Sequence, residues 1–304
     1  MQSTKLKSIM AIALSSAMLF ATAACGTSDK AGDSGSDKGG SSKSVTITSY
    51  DVSSVKKDDA IAALLPESVT KDGKLTIGTN PSYAPAEFLD ADGKTQIGYD
   101  MDLARAMGNI FGLETEIVSS NFDTIIPAIG SKYDLGIAAF TKTPERAEEI
   151  DFSDLYEKSA QLLIVKAGNA DLYSTKESLA GQKVGAQKGT IQSQLIQTAL
   201  PDSELFELEK YPALALEVQN GNIAGLVVDQ AVGESLIATS NGGLEVSNFA
   251  FTSEEASFGK AVVAAKGSED LLAEVNTVIN QVVNDGSYLK AYDEAVELAA
   301  SMGL

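Results

Sequence analysis

The 304-residue sequence has no histidine and only one cysteine, Cys25. Histidine is a frequent catalytic base, and nucleophilic catalysis needs a nucleophile placed beside such a base. No arrangement of that kind is recognisable, which argues against an enzyme, and we expect no cofactor and no metal site. A lone cysteine also permits no disulfide bond within the chain.

Basic residues are scarce, with 23 Lys and Arg against 42 Asp and Glu, which gives a formal net charge of −19. Nucleic-acid binding requires clustered basic residues, so we expect no nucleic-acid partner. The solubility of a secreted protein accounts for the acidic excess, which therefore says nothing about the charge of a ligand. The sequence has no Gly-x-x-x-x-Gly-Lys-Ser/Thr loop, so we expect no ATP hydrolysis of the P-loop type by this chain.

The first 24 residues have the pattern of a secretory signal. Lys5 and Lys7 precede an uncharged apolar run from Ile9 to Ala21, and small residues follow as far as Ala24. The run is shorter than the roughly 20 residues of a comfortable membrane span. We therefore predict that residues 1–24 are a signal peptide.

Cys25 directly follows Thr22-Ala23-Ala24, an arrangement that resembles a lipoprotein signal-peptidase site. Residues 26–44 are nearly all Gly, Ser, Asp and Lys, a composition typical of a flexible linker. We predict that residues 25–44 are a lipidated cysteine and a Gly/Ser linker, which together anchor the protein to the outer face of the cell membrane. The alternative is an ordinary signal peptide with an incidental cysteine.

Strand-like and helix-like patterns alternate through the rest of the chain. An edge strand at Val45–Tyr50 and a short helix at Asp58–Leu65, closed by Pro66, come first. In the first series we predict strands at Leu75–Gly78, Glu114–Ser119, Leu135–Ala138 and Gln161–Lys166, with helices near Met101–Phe111 and Asp123–Ile129. The alternation indicates βαβ units and a mainly parallel sheet, in which ligands lie beyond the carboxyl ends of the strands.

A second series of the same kind follows a break at Gly168-Asn169-Ala170. We predict strands at Lys183–Ala186, Leu205–Leu208, Gly225–Val228, Leu244–Val246 and Phe258–Ala264, and helices from about Ile191, near Ala213–Gln219, from Ala231, and through Leu271 to Val282 with Ser268 as N-cap. The chain therefore contains two α/β units.

The stretch Thr141–Arg146 has the features of an anion site at the start of a helix. Pro144 suits a first helical turn, and Thr143 is then the natural N-cap. Arg146 adds a guanidinium group that suits a carboxylate. The alternative is a surface helix in which Arg146 pairs with Glu145 or Glu149.

Four motifs occur in one order between Leu75 and Lys166. They are Ile-Gly-Thr-Asn-Pro-Ser-Tyr-Ala-Pro at 77–85, Gly-Tyr-Asp-Met-Asp-Leu-Ala at 98–104, Phe-Asp-Thr-Ile-Ile-Pro-Ala at 122–128, and the stretch 141–153 with Thr-Pro-Glu-Arg and Asp-Phe-Ser. This part of the chain resembles the first lobe of the polar amino-acid binding proteins of ABC importers, the family 3 extracellular solute-binding proteins.

The resemblance implies a two-lobed, periplasmic-binding-protein-like (type II) α/β fold. Each lobe would be a mainly parallel sheet flanked by helices, and two crossover strands near Leu163 and Val262 would form the hinge. Lobe 1 would comprise residues 45–166 and 258–304, and lobe 2 residues 167–257.

The resemblance also implies a site for a free amino acid. Arg146 would bind the α-carboxylate, helped by the residues Ala139, Thr141, Thr190 and Ile191. Asp229 would take the ammonium group, with a helix N-cap as the alternative role. Tyr83 and Phe122 would cover the ligand stem, with core packing as the alternative.

Asn80 and Gln187 would read the ligand side chain, and two amides favour a neutral polar ligand such as glutamine or asparagine. Lys142 and Lys188 leave an acidic ligand open.

The implied function is the binding component of an ABC importer, which captures an L-amino acid by hinge closure and delivers it to a permease that has a separate ATPase. A monomer is the family default. One alternative is a ligand-sensing partner of a membrane receptor. Another is an exported dehydratase of the same fold, in which Glu87 could do acid–base work.

Overall fold

The computed structural model describes residues 52–252 and 257–304. The signal peptide, Cys25, the linker and the strand at Val45–Tyr50 that the sequence predicts all lie outside these residues. The strands are β1 Lys74–Thr79, β2 Phe88–Leu89, β3 Gln96–Ile97, β4 Glu114–Ser119, β5 Leu135–Gly136, β6 Ile150–Lys166, β7 Lys183–Gln187, β8 Glu204–Leu208, β9 Gly225–Asp229, β10 Leu244–Val246 and β11 Ser257–Ala265.

The α-helices are α1 Asp59–Ala62, α2 Glu67–Thr70, α3 Tyr99–Phe111, α4 Phe122–Ile125, α5 Pro144–Glu149, α6 Ile191–Ala199, α7 Tyr211–Asn220, α8 Gln230–Thr239, α9 Glu269–Asn284 and α10 Ser287–Met302. Short 3₁₀ helices occur at Val52–Ser54, Ile126–Ala128 and Glu177–Leu179. Across the described part of the chain, we find no helix whose length and apolar character would let it span a membrane.

The main sheet has the strand order β4-β1-β5-β11-β6-β9-β7-β8, and β10 pairs with β6. Strands β4, β1 and β5 are parallel and form the first half-sheet, and β9, β7 and β8 are parallel and form the second. Strands β11 and β6 lie between the two halves and pair antiparallel with each other. This arrangement confirms the predicted two-lobed α/β fold with two crossover strands.

Strand β6 belongs to both halves of the sheet. Residues Ile150 to Ala160 pair with β11, and Gln161 to Val165 pair with β9. The sequence predicted only Gln161–Lys166, because the earlier part of the strand carries charged residues such as Asp154 and Lys158 in exposed positions. The predicted lobe boundaries, residues 45–166 with 258–304 and residues 167–257, remain a prediction.

Other differences from the sequence-based elements have local causes. The predicted helix at Asp123–Ile129 is divided into α4 and a 3₁₀ turn that contains Pro127, which lacks the N–H of a continuing helix. Helix α1 ends at Ala62, and its N-cap Asp58 accepts hydrogen bonds from the N–H groups of Ala60 and Ile61. Ser268 is at the N-cap position of α9, as predicted, but its side chain makes no capping bond.

A hydrophobic core surrounds the first half-sheet on the side of α3 and α9. The apolar residues predicted along α9 are all buried there, namely Leu271, Val275, Val278 and Val282. Gly98 precedes α3 with a φ of 116°, and a Cβ at this position would lie 2.3 Å from the carbonyl oxygen of Ala86. Only glycine therefore fits the turn that leads into α3.

Candidate functional site

A cavity lies where the carboxyl ends of both half-sheets face each other. Its volume is about 290 Å³, a value that includes space open to solvent. The lining residues are Tyr83, Glu87, Phe122, Ala138, Ala139, Thr141, Arg146, Gln187, Thr190, Ile191, Gln192 and Asp229. The cavity is small, and its lining combines aromatic side chains with polar and charged ones.

Nine of the ten residues that the sequence proposed for ligand binding line this cavity; the exception is Asn80. Asn80 lies next to it, since its Oδ1 accepts a hydrogen bond from Gln187 Nε2 at 2.9 Å. The structure therefore brings all ten residues together around one small space.

Arg146 reaches the cavity from α5. Thr143 caps this helix by accepting the Arg146 N–H at 3.2 Å, and Pro144 occupies the first turn, as predicted. The guanidinium group donates to the carbonyl oxygens of Thr141 at 2.9 Å and Gly189 at 3.2 Å. It lies over the ring of Phe122, 5.5 Å from the ring centroid.

The positive charge of Arg146 has no carboxylate partner among residues 52–252 and 257–304, so the proposed pairing with Glu145 or Glu149 is not what the structure shows. Burial lowers the pKa of Arg146 to about 10, which leaves it charged at neutral pH. A charge of this kind, partly withdrawn from water and unbalanced, is suited to an anionic group of a ligand.

The start of α6 adds further donors to the same cavity. Thr190 is the N-cap, and its Oγ1 accepts the Ser193 N–H at 3.4 Å. Thr190, Ile191 and Gln192 line the cavity at this end of the helix. The first N–H groups of a helix and the positive end of its dipole favour an anion.

Asp229 ends β9 and lines the cavity, but its carboxylate already has a cationic partner. Asp229 Oδ2 accepts hydrogen bonds from Lys260 Nζ and Tyr83 Oη, and Oδ1 accepts one from Gln161 Nε2 at 2.5 Å. Although Asp229 is at the N-cap position of α8, its side chain makes no capping bond. The proposed capping role is therefore not seen.

Lys260 is the main charged residue of this region that sequence reasoning missed. It lies on β11 with 1% of its surface exposed. Burial alone would lower the pKa of Lys260, but the carboxylates of Asp229, Glu157 and Asp100 raise it above its usual value, so the side chain stays protonated. The one available signal was a lysine within the predicted apolar strand Phe258–Ala264.

Tyr83 and Phe122 have both of the roles considered for them. Each lines the cavity, and each is also packed in a hydrophobic cluster. The Tyr83 ring lies 5.1 Å from that of Tyr211, and Phe122 stacks on Phe140 at 4.9 Å. The core therefore holds the two rings in place at the cavity wall.

The amide side chains of Asn80 and Gln187 are held by neighbouring groups. Asn80 Nδ2 donates to the carbonyl oxygen of Ser120 at 2.7 Å, and Gln187 Nε2 donates to that of Glu209 at 2.7 Å as well as to Asn80. Lys188 is exposed and pairs with Asp123 at 2.8 Å. Neither Lys188 nor Lys142, which is also exposed, lines the cavity.

Glu87, Ala138 and Gln192 also line the cavity, and the sequence did not assign them to ligand binding. Glu87 is buried, and burial together with the carboxyl of Asp100 raises its pKa well above the usual range. Burial raises the pKa of Asp100 to about 7, although the Ala139 N–H that donates to its Oδ2 at 2.8 Å opposes the shift. The cavity wall therefore includes a carboxyl group whose neutral form is favoured by burial.

Asp100 also fixes the backbone beside the cavity. Its Oδ2 accepts hydrogen bonds from the Ala139 N–H and from Tyr156 Oη at 3.0 Å. Ala139 has a φ of 49°, which is uncommon for a residue other than glycine. This turn ends β5 two residues earlier than the predicted strand Leu135–Ala138 and directs Ala138 and Ala139 to the cavity.

The chain is similar in sequence to known amino-acid-binding proteins of ABC transporters. The ABC transporter glutamine-binding protein GlnH of Bacillus subtilis (strain 168) is 30% identical to the chain over 296 residues, which cover 96% of this chain and 98% of the relative. The ABC transporter arginine-binding protein 1 of Escherichia coli (strain K12) is 28% identical over 223 residues, which cover 73% of this chain and 90% of the relative.

Among solved structures, the amino acid ABC transporter substrate-binding protein AbpA from Streptococcus pneumoniae, bound to L-arginine, superposes with a TM-score of 0.73 at 30% identity, covering 77% of this chain and 99% of that one. Residues 75–296 match the model of the bacterial extracellular solute-binding proteins, family 3. The chain belongs to this family of solute-binding proteins.

Proposed function

We propose that this protein is the extracytoplasmic binding component of an ABC importer and that it captures a free, neutral polar amino acid such as glutamine. The observation that carries the proposal is the unbalanced charge of Arg146 in a cavity for a small molecule, beside the start of α6. An α-carboxylate would fit between Arg146, Thr141 and Thr190. Each of these groups offers a donor or a positive charge to a carboxylate.

The rest of an amino acid has matching surroundings in the same cavity. Tyr83 and Phe122 would cover the stem, and Asp229, which also lines the cavity, would receive the ammonium group. Asn80 and Gln187 are amides, and an amide side chain of the ligand could exchange hydrogen bonds with them. A cationic side chain would find no ionised carboxylate at these two positions, which favours glutamine over arginine.

Hinge closure would bury the ligand between the two half-sheets. Among the described residues, side-chain contacts already connect the carboxyl edge of the first half-sheet with that of the second. They join Asn80 to Gln187, Arg146 to Gly189, Asp123 to Lys188, and Tyr83 to Asp229. Closure excludes water and so strengthens each polar contact to the ligand. The closed form would then be presented to a permease whose ATPase is a separate subunit, and Cys25 would hold the protein at the membrane through its lipid.

The alternative to a binding role is catalysis by a dehydratase of the same fold. The fold also carries chemistry in related proteins, since the ancestral amino acid-binding protein AncCDT-1, described as a precursor of cyclohexadienyl dehydratase, superposes with a TM-score of 0.68 at 32% identity over 76% of this chain and 98% of that one. Glu87 lines the cavity and has a raised pKa, so it is the residue that acid–base chemistry could use. Assays of prephenate and arogenate turnover test this alternative directly, and we expect no turnover.

The proposed function is tested by thermal unfolding of the purified protein with a panel of L-amino acids, cystine and small peptides. A ligand at one hundred times its dissociation constant adds about 2.7 kcal/mol to the free energy of unfolding. For a protein of this size, the midpoint should rise by roughly 5 to 10 °C. A rise with glutamine or asparagine supports the proposal, whereas a panel without any rise contradicts it.

A further inference from the structure

A turn of the second half-sheet contacts the first half-sheet beside the cavity. The turn is Lys188-Gly189, which follows β7 and precedes α6. The Lys188 N–H donates to the Leu208 carbonyl oxygen at 3.0 Å, and Thr190 Oγ1 donates to the Gln187 carbonyl oxygen at 2.6 Å. These bonds fix the turn to its own half-sheet.

The residue that this turn contacts is Asp123, the second residue of α4. Lys188 Nζ lies 2.8 Å from Asp123 Oδ2, and it also lies 3.7 Å from the carboxylate of Glu209, which follows β8. Asp123 comes directly after Phe122, whose ring faces the Arg146 guanidinium group. The contact between the two halves therefore forms next to the wall of the cavity.

Gly189 approaches Asp123 so closely that a side chain would not fit between them. A Cβ at position 189 would lie 2.8 Å from Asp123 Cβ and 3.2 Å from Asp123 Cα. These atoms belong to a packed helix and cannot move aside as the end of a flexible side chain can. Gly189 also has a φ of 76°, a backbone conformation that favours glycine. The turn itself requires the positive φ, whereas the close contact exists only while the two halves lie together.

The same turn also contacts Arg146. The guanidinium group donates through Nη1 to the Thr141 carbonyl oxygen of the first half and through Nη2 to the Gly189 carbonyl oxygen of the second. Opening of the hinge would remove the Gly189 acceptor and leave Thr141 to orient the charge. Two fixed acceptors orient a planar guanidinium group more strictly than one.

We propose that the turn Lys188-Gly189 is a latch, which docks on Asp123 when the hinge closes and then orients Arg146 towards the ligand carboxylate. The inference rests on the proposed function, because it concerns how ligand binding and closure of the same cavity depend on each other. Lys188, Gly189 and Asp123 are positioning residues, since none of them lines the cavity.

The latch acts on one step of binding. Its contacts stabilise the closed, ligand-bound form and are absent when a ligand first meets the open cavity. Loss of the latch must therefore speed dissociation of the ligand and leave its association rate unchanged.

The decisive experiment compares the wild type with Gly189→Ala and Gly221→Ala. Gly221 is the matched control, because its φ is 75° and a Cβ there would meet only Lys166 Nζ, at 4.0 Å. Both alanines adopt an unfavourable backbone conformation, but only the one at position 189 would collide with the other half in the closed form. Thermal unfolding without ligand checks that both variants are folded.

Stopped-flow tyrosine fluorescence measures the binding and release of L-glutamine, or of the panel amino acid that gives the largest thermal shift. Gly189→Ala should weaken binding roughly 5- to 150-fold, as one overpacked contact implies, and the change should lie in the dissociation rate. Gly221→Ala should bind like the wild type. Equal affinities of the two variants overturn the proposal, as does a loss in Gly189→Ala that lies in the association rate.

Small-angle X-ray scattering measures closure itself. The wild type and Gly221→Ala should become more compact at saturating ligand, whereas Gly189→Ala should stay closer to its ligand-free dimensions. Contraction of Gly189→Ala to the same extent as the wild type overturns the proposal. A wild type that binds no amino acid of the panel contradicts the proposed function, and this inference with it.

The ion pair between Lys188 and Asp123 allows a separate test of the docking residue. Lys188→Gln and Asp123→Asn should each raise the dissociation rate by up to about fivefold at low salt, because the pair is partly exposed. The double variant should lose no more than either single variant, and the effect should vanish at about 1 M salt. Additive losses would overturn the assignment of Asp123 as the residue on which the latch docks.

Discussion

Arg146 and Lys260 are two cations beside one cavity, and they differ in whether their charge is balanced. Lys260 bonds to the carboxylate of Asp229, whereas Arg146 donates only to carbonyl oxygens in the described part of the chain. Carbonyl groups orient a guanidinium group without neutralising it. The charge of Arg146 therefore remains available for a ligand, and that of Lys260 does not.

Replacing Arg146 with Ala should weaken binding of the amino acid by about 2 to 5 kcal/mol, because the buried carboxylate of the ligand would lose its cation. That loss corresponds to roughly 30-fold to several thousand-fold in the dissociation constant. Titration calorimetry measures the change. Lys142→Ala is the control, since Lys142 is exposed on the same segment and does not line the cavity. Equal losses in the two variants would remove Arg146 from the binding site.

The residues around the cavity differ in how far the sequence could predict them. Thr141 and Asp229 stand at or after the ends of recognisable strands, which predicts a place at the carboxyl edge of a sheet for each. That the two edges share one cavity with Arg146 was implied only by the family resemblance. Lys260 and Glu87 could not be found in this way. Lys260 lies in an apolar strand, where a charged residue is normally exposed. Only the three-dimensional arrangement shows that Lys260 and Glu87 are both buried among other ionisable groups.

Helix α5 is the element that positions Arg146, and it has only six residues. A helix this short gains little from its own hydrogen bonds and depends on its cap. Thr143→Ala removes the oxygen that accepts the Arg146 N–H and should lower the free energy of unfolding by about 1 kcal/mol. It should also weaken ligand binding, because the first turn carries Arg146.

Urea denaturation with and without ligand measures both effects of Thr143→Ala. Thr143→Ser is the matched control, because serine retains the capping oxygen. A Ser variant that loses as much stability as the Ala variant would show that the threonine methyl group, and not the cap, is what α5 requires.

Helix α10 was not predicted from the sequence. Its buried residues are Ala291, Ala295 and Ala299, four positions apart, whereas Leu289 and Val296 are exposed. A search for amphipathic helices looks for a stripe of large apolar residues, and here the buried face is made of alanine. By contrast, α9 buries Leu and Val at helical spacing and was predicted from the sequence.

At the scale of the whole molecule, the buried acids determine how stability depends on pH. Burial raises the pKa values of Asp100, to about 7, and of Glu87 and Glu157 above their usual values. The folded protein therefore binds more protons than the unfolded chain between about pH 4 and pH 7, so stability must decrease as the pH rises through this range. Each such group contributes at most about 1.4 kcal/mol per pH unit.

Thermal unfolding of the ligand-free protein should accordingly show a higher midpoint near pH 5 than near pH 8. Asp100→Asn, which cannot titrate, should reduce the slope between these values. A midpoint that rises steadily to pH 8 would mean that the buried acids are ionised in the folded protein at neutral pH.

Strand β6 connects the two half-sheets as a single strand that can twist along its length. Its 17 residues form one continuous strand, about 56 Å long at 3.3 Å per residue, whose two ends are bonded to different half-sheets. A rotation of one half-sheet against the other can be spread as a few degrees of twist at each residue, with its elastic resistance shared along the strand. The stiffness of this strand, and not the length of a loop, would then determine how much of the binding energy is spent in closing the cavity.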